Sequence, residues 1–250
     1  MDATRTQPQS AAAAVVPRAG VLNLAVVGDE VPVLLLHHAL GSFDAYTSAE
    51  HDNVAEWLAA RGCQVVGFDL EGHGDSESLA EFPDDYLTRC VDDACAILGT
   101  IGSSPTPVVG VGFGALIALE LAATHPELVA CVVADSPPGV CPAVSYEPWP
   151  ALAFAPPHSE ESARLAAWRR FTARAAERPV LPEPKSIGCP VLLTVCADIC
   201  APELLTGLYD WAHALPQGSV ALLPGDQPPG CWQAPGFFIR EVERFLAAYA

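Results

Sequence analysis

The sequence predicts an α/β protein: a mostly parallel sheet with helices on both faces and a small lid inserted after the sixth strand. Three observations predict it. Short runs rich in Val, Leu and Ile, such as "VPVLLLH", "CQVVGFD" and "PVLLTV", read as strands buried on both faces. Segments with helical periodicity separate them, as expected of parallel strands joined by crossover helices. Between residues 136 and 187 the alternation stops, and a Pro-rich stretch with one helical pattern takes its place.

Taken in order, residues 1–19 are expected as a disordered tail, 20–135 as the first part of the core, 136–187 as the lid and 188–250 as the rest of the core. "VLNLAVV" and "VPVLLLH" read as two strands joined by a hairpin-like break at Gly28-Asp29-Glu30. "SAEHDNVAEWLAARG" is a helix that ends on Gly62. "CQVVGFD" is a buried strand, followed by the loop "LEGHGDSES". Over residues 83–99, Tyr86, Cys90, Ala94 and Ile97 share one helix face, with Pro83 at the start and Gly99 at the end. A strand at 107–111 runs into a helix at 114–124, and "LVACVVAD" is the next strand. The lid carries Trp149, Phe154, Trp168 and Phe171 and the helix "EESARLAAWRRFTARAAER". Strand "PVLLTV", helix "APELLTGLYDWAHAL", strand "SVALL", loop "PGDQPPGCWQAPG" and helix "FFIREVERFLAAY" follow.

The 250 residues are 51% hydrophobic, enough for one large core. Thirty acidic against twelve basic side chains give a formal charge of -18, which argues against nucleic acid or an anionic membrane as partner. No apolar run is long enough to span a bilayer, and "MDATRTQPQS" lacks a basic n-region, so a cytoplasmic location is expected. A single lysine, Lys185, against eleven arginines, with abundant Ala and Pro, fits a high-GC bacterial genome. The nine cysteines are scattered, and Cys63, Cys131 and Cys196 lie in strand-like runs as small hydrophobes. Cys196 and Cys200 lack the second close pair that a structural zinc site needs, so no metal is expected.

Gly110-Val111-Gly112-Phe113-Gly114-Ala115 admits two readings. As Gly-x-Gly-x-x-Ala between a strand and a helix it fits a dinucleotide-binding turn, with Asp135 at the end of the next strand as the ribose ligand. That fingerprint normally sits on an earlier strand, and tight strand-to-helix turns need small residues whatever they bind. The alternative is a strand-turn-helix that carries a hydrolase nucleophile, with glycine where serine would stand. Here the whole chain contributes. "PVLLLHHALGS" resembles the strand and oxyanion loop of the α/β-hydrolase superfamily, and Asp69, Gly72, His73, Gly74 and Ser76 match its D-x-x-G-x-G-x-S loop. "CPVLLTVCAD" is similar to its acid strand and "LLPGDQPPGCWQAPGFF" to the strand and loop that carry its histidine. The resemblance runs in order over residues 20–248, so no nicotinamide cofactor is expected.

In that family the elbow is Gly-x-Ser-x-Gly, with histidine as base and a carboxylate to orient it. The resemblance places Gly112 at the nucleophile, Asp198 at the acid and Pro228 at the histidine, and no histidine lies between Ser219 and the C-terminus. Glycine has no hydroxyl to activate, so serine-hydrolase chemistry is not expected. It does adopt the positive-φ geometry of an elbow at little strain. The Gly-Val-Gly-x-Gly elbow and the Gln-Pro-rich later loop are also similar to those of the N-Myc downstream-regulated (NDR) branch, which implies a non-enzymatic role.

The backbone N–H groups of Ala39 and Phe113 match the two oxyanion-hole donors. His37, His38, Trp149, Trp168, Phe171 and Cys231 are the candidate lining of an apolar site. Within that set, His37 reads first as a structural histidine bonded to backbone, and His38 replaces a glycine. Trp149, Trp168 and Phe171 read first as lid packing, and Cys231 has no adjacent base to activate it. His73 reads as a loop-positioning residue. Two functions stay open: a non-hydrolytic cyclase, lyase or isomerase that binds an apolar small molecule, and an NDR-like pseudo-hydrolase scaffold. An open apolar site beside Gly112 would favour the first, and a filled one the second.

Overall fold

The computed structural model describes residues 9–10, 14–16, 20–47, 53–102, 105–140, 160–176, 181–199 and 202–249. Its main sheet contains β1 (Gln9–Ser10), β4 (Leu24–Val27), β5 (Val31–Leu36), β6 (Cys63–Phe68), β7 (Thr106–Val111), β8 (Val129–Asp135), β9 (Val191–Cys196) and β10 (Gly218–Leu223). The strand order is β1-β4-β6-β5-β7-β8-β9-β10. From β6 across to β10 every pairing is parallel, while β4 pairs antiparallel with both β6 and β1. A separate antiparallel pair is formed by β2 (Ala14–Val16) and β3 (Gly20–Leu22).

Alternate residues of each strand face opposite sides of a sheet, and both sides are apolar here. Leu34 and Leu36 join Phe68, Val108 and Val132 in the cluster that also takes in α2 (Tyr86–Ile101), α3 (Phe113–Thr124) and α5 (Pro202–Ala214). Val33 and Leu35 face the other way, with Val65, Val109 and Val133, toward α1 (Val54–Ala59) and α7 (Pro235–Tyr249). Each such fully buried aliphatic side chain stabilises the fold by about 1.5–3 kcal/mol relative to exposure. The lid helix α4 (Glu160–Ala176) and the short α6 (Gly230–Gln233) complete the helices among the described residues.

Several expectations are adjusted. β4 and β5 are not hairpin partners, because β6 lies between them. "VLNLAVV" breaks at Asn23, whose backbone N–H donates to Ser76 Oγ at 2.9 Å and whose amide reaches Asp69 at 3.0 Å. Those bonds take Asn23 out of the ladder and split the run into β3 and β4. Residues 1–19, expected as a disordered tail, include the strands β1 and β2. With those short strands counted, the lid follows the eighth strand in chain order. Gly99 lies inside α2, which continues to Ile101. Trp149 and Phe154 lie outside the described residues.

Candidate functional site

The parallel strands end on one edge of the sheet, where β7 turns into α3. Gly112 takes that turn at φ 56 and ψ -117. Its N–H donates to the Asp135 carbonyl at 2.8 Å, and its own carbonyl accepts from Ala115 at 3.0 Å. The flanking glycines answer to a different demand. A Cβ on Gly110 would strike the Gly114 carbonyl, and one on Gly114 would strike the Leu36 and His37 carbonyls. Only residues without side chains let the start of α3 press against the end of β5.

That contact sets the start of α3, where Phe113 lies, against the Leu36 and His37 carbonyls, two residues before Ala39. Among the described residues neither the Phe113 nor the Ala39 N–H makes a backbone hydrogen bond outside the helices and strands. The positive end of the α3 dipole adds to them. Leu40 (φ 55) and Ser136 (φ 53) sit in the left-handed region on either side of Gly112. Each such non-glycine residue costs about 1–3 kcal/mol, and strain of this kind gathers at functional sites.

His37 is occupied on both ring nitrogens. Its Nδ1 donates to the His38 carbonyl at 2.7 Å and its Nε2 accepts from the Leu70 N–H at 2.9 Å. Burial lowers its pKa, against the pull of Asp69, and it stays neutral. His38 is buried with its Nδ1 3.0 Å from the Tyr46 hydroxyl, and its ring meets Trp232 edge-on at 4.7 Å. Tyr46 and Trp232 were not among the expected site residues. A tryptophan inside the Pro-Gly loop was the available signal.

Asp198, expected at the acid position, follows the end of β9. Asp198 is exposed, and its backbone N–H donates to the Gly225 carbonyl at 3.0 Å. The buried carboxylate that reaches the former histidine loop is Asp135, at the end of β8. It accepts from Gly230 N at 3.2 Å, Cys231 N at 2.8 Å, Thr194 Oγ1 at 2.9 Å and Ser136 Oγ at 3.1 Å. Three of these donors share Oδ1 and the Cys231 N–H takes Oδ2, and the residue is fully buried, which is not the exposed carboxylate a ribose ligand needs. Burial pushes its pKa up, and the Cys231 backbone and Thr194 pull it back. Cys196 Sγ donates to the Gln227 carbonyl at 2.9 Å. The segment that carries Pro228 is thus held by the core at Asp135 and Cys196. Burial, then Asp135, drives the Cys231 thiol well above its usual pKa, which keeps it protonated and inert. The seven described cysteines are all free thiols.

Aromatic rings cover the elbow. Trp168 is fully buried and meets Phe113 edge-on at 5.0 Å, while Tyr86 stacks on Phe113 at 5.8 Å. Phe171 joins them, 5.2 Å from Trp168. His73 lies at the far side of this group, buried, and desolvation takes its pKa down to about 3. Behind it Glu71 pairs with Arg89 at 2.6 Å. Asp93 is buried near them with neither carboxylate oxygen hydrogen-bonded, and its pKa is pushed up to about 7, first by burial and then by Glu71.

The family model described as alpha/beta hydrolase fold matches residues 31–180. The chain belongs to the α/β-hydrolase fold family. It is 30% identical over 122 residues to YraK, an uncharacterized hydrolase of Bacillus subtilis, covering 49% of this chain and 42% of YraK. It is 35% identical over 83 residues to BpoC of Mycobacterium tuberculosis, provisionally named a non-heme bromoperoxidase, covering 33% of this chain and 30% of BpoC. The matched stretch therefore spans less than half the length of these curated relatives. The esterase RhEst1 from Rhodococcus shares the fold with a TM-score of 0.68 and 20% identity, over 92% of this chain and 96% of that one. Among the described residues no group of three His, Cys, Asp or Glu is placed to hold a metal ion, and no helix is long and apolar enough to cross a membrane.

Proposed function

We propose that this chain is a catalytically degenerate member of its family that binds an apolar carbonyl compound and acts on it without covalent attack, as a cyclase, lyase or isomerase. One observation carries the reading. Gly112 keeps the backbone geometry of a nucleophile elbow without a hydroxyl, while the N–H groups of Ala39 and Phe113 make no turn or loop hydrogen bond to backbone among the described residues. A carbonyl oxygen seated there would receive two hydrogen bonds and face the N-terminus of α3. That arrangement stabilises negative charge as an enolate develops, and shape around the ligand supplies orientation. The composition fits the specialised metabolism of a high-GC bacterium as the setting.

The scaffold reading draws support from a different observation, the ring packing over the elbow by Trp168 and Phe113. It leaves the two N–H groups without a purpose. Among the described residues those donors meet no turn or loop carbonyl, and a buried donor left unmet costs about 1–3 kcal/mol. The test is calorimetric titration with 2-acetylnaphthalene, an apolar aryl ketone. Gly112→Val is expected to weaken binding at least tenfold, about 1.4 kcal/mol, and Gly112→Ala less, with both variants folded by circular dichroism. Valine also carries the strain of a β-branched residue at positive φ, so the alanine variant separates crowding from strain. No ketone binding, or equal affinity in both folded variants, would leave the scaffold reading in front.

A further inference from the structure

We propose that Arg89, Glu71 and Asp93 form a pH-operated latch between α2 and residues 69–76, the loop that follows β6. The latch is closed while Asp93 holds a proton, and it opens when Asp93 ionises and draws Arg89 from Glu71. It works behind the elbow and does not depend on what the elbow binds.

One guanidinium here stands beside two buried carboxyl groups. Arg89 Nη2 donates to Glu71 Oε1 at 2.6 Å, with the Glu71 side chain 6% exposed and that of Arg89 34%. Asp93 is 1% exposed, and neither of its oxygens has a hydrogen-bond partner; nor has Glu71 Oε2. Arg89 and Asp93 are four residues apart in α2, neighbours on one helix face. If both carboxyl groups ionise, two buried negative charges compete for one positive charge. A proton on Asp93 removes the conflict. Burial first and then Glu71 push the Asp93 pKa up to about 7, against the pull of Arg89. The surroundings bring no second cation to Asp93 among the described residues. On α2 itself Asp92 is acidic, and burial keeps Tyr86 and Cys90 neutral. Glu77 and Asp85, beyond Glu71, are acidic as well. β2, packed against α2, carries only Ala14, Val15 and Val16, and α3 only the half-buried Glu120. Arg164 of the lid helix acts on His73 instead.

The loop held in this way reaches both sides of the elbow. The Tyr86 hydroxyl donates to the Glu71 carbonyl at 2.6 Å, and the Tyr86 ring stacks on Phe113 at 5.8 Å. One residue earlier, the Leu70 N–H donates to His37 Nε2 at 2.9 Å, and His37 Nδ1 donates to the His38 carbonyl at 2.7 Å. That carbonyl also accepts from the Gly41 N–H at 3.2 Å, which closes the turn that carries Ala39. Glu71 is therefore the point at which α2 grips the loop that steadies this turn. Below about pH 7 Asp93 is neutral and the guanidinium belongs to Glu71. As pH rises through that value the proton leaves, Arg89 is shared along its own helix face, and the grip on Glu71 weakens. Burial also raises the Glu71 pKa, against the pull of Arg89, so acid that protonates Glu71 opens the latch from the other side.

Hydrogen exchange read by mass spectrometry, with rates corrected for the intrinsic effect of pH, compares residues 69–76 with β8 at pH 6 and pH 8. In the wild-type chain protection over 69–76 is expected to fall by about tenfold between the two, with β8 changing much less. Asp93→Asn cannot ionise and should keep the pH 6 protection at pH 8. Glu71→Gln gives up the ion pair and should show the weaker protection at both. In the wild-type chain the ¹³C resonance of the Asp93 carboxyl should titrate with a midpoint of about 7, a readout that needs no variant. Titration in the ordinary carboxylate range, equal protection of 69–76 at the two pH values, or the same fall in Asp93→Asn would overturn the latch. A fall shared equally by β8 would overturn it too, because that marks a general loss of stability.

Discussion

Asp135→Ala is expected to loosen the segment that stands where this family carries its catalytic histidine. The carboxylate is fully buried and accepts from the N–H groups of Gly230 and Cys231 and from the Thr194 and Ser136 hydroxyls. Alanine leaves the two N–H groups and the Thr194 hydroxyl without an acceptor. Stranding each buried donor costs about 1–3 kcal/mol, and partial relaxation brings the sum to about 3–5 kcal/mol. Against a total stability of about 5–15 kcal/mol for a domain, that is a large fraction. Asp135→Asn retains one acceptor oxygen and should lose about half as much. Urea unfolding gives the stability change, and hydrogen exchange over residues 224–234 reports whether the loss is centred on the loop. A change below about 1 kcal/mol for the alanine variant, with exchange over 224–234 unaltered, would refute the assignment of Asp135 as the holder of that segment.

Two further outcomes follow from the same physics. Asp93, with its pKa pushed up to about 7 by burial and Glu71, binds its proton more tightly folded than unfolded. Its contribution is most favourable below about pH 4 and is lost as pH rises through about 7. Asp93→Asn should therefore stabilise the protein at pH 8 by on the order of 3 kcal/mol and leave it nearly unchanged at pH 4, which urea unfolding at the two pH values will show. Gly114→Ala should lower the thermal midpoint or prevent folding, because its Cβ would meet the Leu36 carbonyl, while Gly99→Ala, which meets nothing within 4 Å inside α2, should stabilise slightly.

The sheet and its helices were legible because burial on both faces writes uninterrupted Val/Leu/Ile strands between helical patterns. The elbow glycines were legible for a related reason: a strand-turn-helix this tight admits only small residues at Gly110 and Gly114. What the sequence concealed depends on contacts between distant residues. Asp135 meets Gly230 and Cys231 across most of a hundred residues, and nothing local distinguishes it from Asp198, which ends the next strand and stays exposed. A carboxylate at the end of a run as apolar as "ACVVAD" was the one clue, because a buried charge must have partners. His73, read as a loop-positioning residue, has its Nδ1 3.1 Å from the Glu71 carbonyl of its own loop and 3.1 Å from the Tyr86 hydroxyl on another element, a contact the local sequence does not announce. The pairing of β4 with β6 rather than β5 was hidden for the same reason, since a turn at Gly28-Asp29-Glu30 does not say which strand returns beside it.

Loss of the nucleophile is the central claim, and a serine-directed fluorophosphonate tests it most directly. Intact-protein mass spectrometry after incubation is expected to show the unmodified chain, with p-nitrophenyl acetate hydrolysed no faster than in buffer. Gly112→Ser alone should take up no label either, because the segment around Pro228 offers no imidazole to activate the hydroxyl. A stoichiometric phosphonyl adduct on any residue from Gly110 to Gly114 of the wild-type chain, or ester turnover from that single substitution, would contradict it.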